Sequence, residues 1–171
     1  MINKPQPGEY APYAEGYIAK VPDGPVIEIL AYLKQSTYNF FSRITTEQAD
    51  YAYAEGKWTL KQVLGHMIDT ERVFSFRALC FSRGDKNALP GFDQEEYVAA
   101  STFDTRTIQD LANEFKTLRE ANIYLYNSLT EEQSLKMGVA SNHPVSVRAL
   151  VYMTAGHEIY HLDLIKERYI K

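Results

Sequence analysis

Apolar positions recur three and four apart along four stretches of this chain, and that spacing predicts helices with one buried face. The first runs from about Pro25 to Ile44, with Ile29, Leu30, Leu33, Phe40, Phe41 and Ile44 inward. Pro25 suits a first-turn position, where its missing N–H forfeits no bond. The second runs from about Thr59 to Arg83, with Val63, Met67, Phe74, Ala78 and Phe81 inward. Thr59 followed by Gln62 reads as a capping box, and Gly84 as a stop. The third runs from about Thr107 to Leu129 over Ile108, Leu111, Phe115, Leu118 and Leu125. The fourth begins near Ser146, a good N-cap, and ends near Tyr169. Its buried spacing picks out Leu150, Met153, His157, Tyr160 or His161, and Leu164.

Helices of about 24 residues are each roughly 36 Å long, so the predicted fold class is all-α, an elongated four-helix bundle. No alternating apolar stretch is long enough to demand a sheet. The connection from about Asp85 to Arg106 is long for a bundle. It has the reach to cross the bundle's length and leave helices two and three parallel. Pro5, Pro7, Pro12 and Pro22 bar a long helix from residues 1–24. That segment reads as an extended N-terminal arm, anchored by Tyr10, Tyr13 and Tyr17, on a single domain spanning residues 1–171.

Composition narrows the class of function. At 45 % apolar residues the 171-residue chain is globular and can bury a sizeable core. Its net charge of −4, with both signs interspersed, argues against binding nucleic acid through phosphate neutralisation. No apolar run reaches membrane-spanning length, and the N-terminus lacks the apolar core of a signal peptide. One cysteine, Cys80, agrees with a reducing compartment, so the expected location is the cytoplasm. The 13 tyrosines suit half-wet cavity walls as well as an aromatic core.

The candidate chemistry lies in the histidines. His157 and His161 are four apart on the inner stripe of the fourth helix, so their rings stack on one face. His66 lies near the inner face of the second. Buried imidazoles need hydrogen-bond partners or a metal, and helices packed about 8–10 Å apart leave a gap that rings from both sides can span. Three imidazoles favour zinc, nickel or a similar transition metal over magnesium or calcium. Three protein ligands with an open position are the pattern of a catalytic site.

Cys80 is excluded as a fourth ligand, because 14 residues of helix place it about 21 Å from His66. His143, next to Pro144, reads as a surface residue. Asp69 is a candidate to orient an imidazole or a water, with a solvated or salt-bridged carboxylate as the alternative. Glu158 completes H-E-x-x-H, in which the glutamate of zinc proteases is the general base. Only ten residues follow His161, too few for the helices that bring a downstream third ligand in such proteases, so a protease is a minor alternative.

These segments resemble the DinB-like superfamily. The carrying stretches are PQPGEYAPYAEGYIAKVP, KWTLKQVLGHMIDTERVFSFRALCFSRGD, PGFDQEEYV and AGHEIYHLDLIKERY, which together cover most of the chain in the family's order. The family's metal triad, one histidine on the second helix and an H-x-x-x-H pair on the fourth, falls on His66, His157 and His161. The resemblance implies a four-helix bundle with parallel second and third helices, zinc or nickel, and a homodimer. The branch of closest overall pattern comprises metal-dependent hydrolases and bacillithiol transferases.

The expected function is therefore a metal-dependent S-transferase. A low-molecular-weight thiol is deprotonated at the metal and attacks an electrophilic substrate. A hydrolase using metal-activated water and a non-catalytic metal-binding bundle are the alternatives. Asp93, Glu95 and Glu96 in the long connection are candidate pocket residues, with surface solvation as their simpler reading.

Overall fold

A computed structural model of the protein describes residues 2–170. The four long helices are present: α2 at Val26–Phe41, α4 at Leu60–Ser82, α6 at Ile108–Asn127 and α8 at Val147–Arg168. Around them lie α1 (Glu15–Lys20), α3 (Thr46–Ala49), α5 (Gln94–Ala100), α7 (Glu131–Leu135) and a hairpin of β1 (Met137–Ala140) and β2 (His143–Ser146). The caps act as the sequence indicates. Thr59 and Gln62 form a reciprocal capping box at the start of α4, and the Ser146 side chain accepts from the Ala149 N–H at the start of α8. Gly84, at φ +86°, ends the α4 turn in a conformation that favours glycine.

Three features differ from the sequence reading. The arm is not extended throughout, because α1 follows a short 3₁₀ turn at Pro12–Ala14. Four to six helical residues escape a periodicity search, and the prolines exclude only longer helices. The connection between α4 and α6 is broken by α5 and a 3₁₀ turn at Phe103–Thr105. Finally, a two-stranded antiparallel sheet is present, pairing Met137 with Ser146 and Ala140 with His143. Its two-residue loop, Ser141–Asn142, has positive φ at both positions, the turn that matches strand twist.

The core has two apolar clusters. One gathers Leu30, Leu33, Phe74, Phe81, Tyr126 and Leu150; the other gathers Phe41, Leu64, Ile68, Leu111, Phe115 and Ile165. Helices α4 and α6 pass from the second cluster to the first along the chain, whereas α2 and α8 pass from the first to the second. On each of α4, α6 and α8, buried polar residues fill the interval between clusters: Glu71 on α4, Arg119 and Asn122 on α6, and His157, Glu158 and His161 on α8. A polar layer thus crosses the middle of an otherwise apolar bundle. All five inner-stripe positions proposed for the second helix are buried. Leu118, Leu125 and Leu164 are only half-buried, and Arg119 and Asn122 are buried on α6 instead.

Candidate metal centre

His66 reaches the site from the N-terminal third of α4, and His157 and His161 reach it from successive turns of α8. All three are buried. Tyr160 is exposed, so the fourth-helix stripe continues through His161. The Nε2 atom of His157 lies 3.1 Å from Nε2 of His66 and 3.1 Å from Nε2 of His161. The three rings therefore aim the same nitrogen at one point.

Burial drives all three imidazoles toward the neutral form. It lowers the His66 pKa to about 4 and that of His161 to about 3. His157 is lowered by burial first and then by the other two rings. Neutral rings offer lone pairs, the state a metal requires. With Zn–N bonds of about 2.0–2.1 Å, nitrogens at tetrahedral corners stand roughly 3.3–3.4 Å apart, close to the spacing seen here. Buried Nδ1 of His161 has no hydrogen-bond partner among the described residues. The donor set thus fits a divalent transition metal held by His66, His157 and His161.

Two cavities reach the cluster. One of about 300 Å³ is lined by His66, His157, Thr70, Phe74, Tyr17 and Arg77, among others. A second of about 220 Å³ meets His161 and is lined by Trp58, Tyr53, Glu95, Tyr160 and Tyr169. Tyr17 and Gln94 border both. Tyr17 packs edge-on to His157 with ring centres 5.4 Å apart, and Trp58 lies 4.9 Å from the His66 ring. The arm comes this close because of Gly156. A Cβ there would stand 2.0 Å from the Tyr17 carbonyl oxygen. Burial, then the neighbouring Tyr160 and Tyr13, raise the Tyr17 pKa, so its hydroxyl keeps its proton.

The other sequence candidates are placed as follows. Asp69 accepts from Arg72 at 3.5 Å, and the group beside His66 Nδ1 is the Thr70 hydroxyl, at 3.4 Å. Glu158 is buried, with one oxygen accepting from Thr37 and the other from Arg119, each at 2.6 Å. Arg119 also donates to both oxygens of Glu71, at 2.7 and 2.8 Å, and Asn122 adds a bond to Glu71 at 3.0 Å. Cys80 is half-buried against an apolar cluster, and His143 is exposed on β2. Asp93 caps α5, accepting from the Glu95 and Glu96 N–H groups, and Glu95 accepts from Trp58 Nε1 at 3.1 Å on the wall of the second cavity. The Glu71–Arg119–Glu158 cluster was not legible as a site. Its members sit on three separate helices, with no short motif linking them.

The comparisons agree with this architecture. The family model of the DinB superfamily matches residues 29–165. An Oceanobacillus iheyensis protein named "Putative metal-dependent hydrolase OB0413" is 28 % identical over 155 residues, covering 86 % of this chain and 89 % of the relative. The structure of YfiT from Bacillus subtilis, described as "a probable metal-dependent hydrolase with an unusual four-helix bundle topology", aligns at a TM-score of 0.71 with 19 % identity. That alignment covers 96 % of this chain and 90 % of YfiT. A mycothiol-dependent maleylpyruvate isomerase aligns at a TM-score of 0.62 with 16 % identity, covering 83 % of this chain and 61 % of the isomerase. Among the described residues no helix is long and apolar enough to cross a membrane.

Proposed function

This chain belongs to the DinB superfamily, and from that premise we propose that it is a metal-dependent enzyme that activates a small thiol for transfer to an electrophilic substrate. The observation that carries the proposal is the convergence of three buried Nε2 atoms on rings that line two cavities. His66, His157 and His161 would hold a zinc or nickel ion. When bound, such an ion supplies positive charge at an open position, where a thiol loses its proton more readily.

The chain's own residues do the rest. Three neutral imidazoles leave the ion's charge undiminished. Trp58, Phe74 and Tyr17 pack aromatic rings against the cluster, and such apolar neighbours strengthen electrostatics there. The protonated Tyr17 hydroxyl is available to donate to an anion in either cavity. Two cavities meeting at one cluster suit a reaction with two partners, thiol and electrophile. The same reading takes α4 and α6 as parallel. Both helices run from the second apolar cluster to the first along the chain, and Gln62 near the start of α4 meets Asp104 just before α6, while Glu71 further along meets Arg119 and Asn122.

Hydrolysis by activated water is the second reading, favoured by the names of the Oceanobacillus and Bacillus proteins. Metal analysis of the purified protein should give one zinc or nickel ion per chain. The metal-loaded protein should then conjugate monochlorobimane to at least one member of a thiol panel. Turnover of ester or amide substrates with water, and none with any thiol, would move the assignment to the hydrolase.

A further inference from the structure

Two arginines of this bundle are deeply buried, and they differ in company. Arg119 is clasped by two carboxylates. Arg77, on α4, is 4 % exposed, yet its recorded partners are the Pro90 carbonyl at 2.7 Å and the Ser141 hydroxyl at 3.0 Å, both reached through Nη2. Neither carries a charge. A guanidinium is always protonated and presents five donors. Removing it from water without an anion is costly, so a guanidinium placed this way favours an incoming anion.

Position supplies the second observation. His66, Thr70, Phe74 and Arg77 are spaced four, four and three apart, so they share one face of α4. All four line the 300 Å³ cavity. Eleven residues separate His66 from Arg77, about 16 Å of rise along the axis. The cavity therefore takes its imidazoles and its guanidinium from well-separated turns, and Tyr13, Tyr17 and Phe92 also line it. Nη2 alone is engaged by Pro90 and Ser141, which fixes the plane of the group.

From this geometry we propose that Arg77 binds a carboxylate of the substrate, so the molecule that reacts at the three-histidine cluster is a small organic acid with its reacting group remote from its acid group. With both Nη2 hydrogens engaged, the Nε and Nη1 hydrogens remain, and one of them can donate a charge-assisted bond to a carboxylate oxygen. The apolar walls suit an aliphatic or aromatic body between the two ends. This inference rests on the metal-centre reading for the position of the reacting group, though not for the acid site itself.

The test compares 6-mercaptohexanoate with 6-mercapto-1-hexanol by calorimetry on the zinc-loaded protein. The acid should bind at least about tenfold tighter, a gap expected of one charge-assisted hydrogen bond. Arg77→Met should bring the two within about twofold, and Arg77→Lys should restore part of the preference. Because Arg77→Met could fail to fold, the Arg77 Nε–H resonance of the unaltered protein is followed as well. It should shift with the acid and not with the alcohol.

Equal affinity for acid and alcohol, or a preference without that shift, overturns the proposal while leaving the metal site intact. Inorganic phosphate is the control for the other source of anion. If it displaces the acid and binds more tightly, the carboxylate assignment fails. Should zinc not bind, the metal reading fails separately. Hexanoate against hexanol on the metal-free chain then decides the Arg77 site by the same tenfold criterion.

Discussion

His157 and Glu158 are neighbours in the chain, yet they belong to clusters of opposite character. A helix turns about 100° per residue, so one side chain enters the three-histidine cluster while the next turns toward α2 and α6. The histidine cluster is open. Its rings are neutral, it has no carboxylate at bonding distance among the described residues, and two cavities reach it. The Glu71–Arg119–Glu158 cluster is closed. Each carboxylate oxygen accepts at least one bond, and the cavity beside it is only about 10 Å³, room for about one water. Open donors with no internal partner invite a ligand, and paired charges in a sealed layer hold helices in place. The H-E-x-x-H string merges the two. Glu158 is not placed as a general base, because its oxygens are turned to Thr37 on α2 and Arg119 on α6.

The largest effect expected from breaking the open cluster falls on metal content. His157→Ala removes the nitrogen that lies 3.1 Å from both others. Bound metal should drop from one per chain to near zero, and the metal-dependent rise in melting temperature should vanish with it. Full metal occupancy in this variant, measured by native mass spectrometry, would sink the site assignment. Breaking the closed cluster should act on stability instead. Arg119→Met leaves two buried carboxylates facing each other without a cation, a loss of about 3–5 kcal/mol. The measurement is urea unfolding of metal-free protein. A loss below about 1 kcal/mol would mean that the layer is hydrated and that the contrast with the histidines is false.

The same contrast explains what was legible in the sequence. Helices α2, α4, α6 and α8 announce themselves by long apolar periodicity and by caps such as Thr59–Gln62 and Ser146. His157 and His161 were readable because i, i+4 spacing is local, and His66 because it shares the inward face of a long helix. The closed cluster was hidden because it joins residues of three separate helices, and a charged residue in a helix reads as solvent-facing until its partners are known. Arg119 sits among Leu111, Phe115 and Leu118, where Leu118 was the position expected inward. The hairpin escaped because its strands are four residues each and its turn is Ser141–Asn142, without the glycine that usually marks such a loop. Arg77 escaped for a different reason. The role proposed for it depends on the absence of a counter-ion among the described residues, which no spacing encodes.

The smallest predicted effect concerns the wall of the open cluster. The arm that carries Tyr13 and Tyr17 is tied to the start of α8 by Glu9, whose carboxylate accepts from Arg148 Nε at 2.7 Å and from its Nη2. The Glu9 backbone carbonyl also accepts from the Ser146 N–H at 2.9 Å. The side-chain bond to Arg148 is the main reason that the Glu9 pKa is pulled from 4.5 to about 2. A carboxylate whose pKa is lower folded than unfolded stabilises the fold fully above the unfolded value and ceases to do so as pH falls through the folded one. The difference in unfolding free energy between the unaltered protein and Glu9→Gln should therefore be about 1 kcal/mol near pH 7, since the pair is partly solvated. It should shrink between pH 4.5 and pH 2. The same substitution should leave metal content unchanged and speed amide exchange in α1, which the closed cluster does not touch. A stability difference that stays constant down to pH 2 would show that the arm is held by apolar packing and the backbone bond alone, leaving the wall of the open cluster independent of this ion pair.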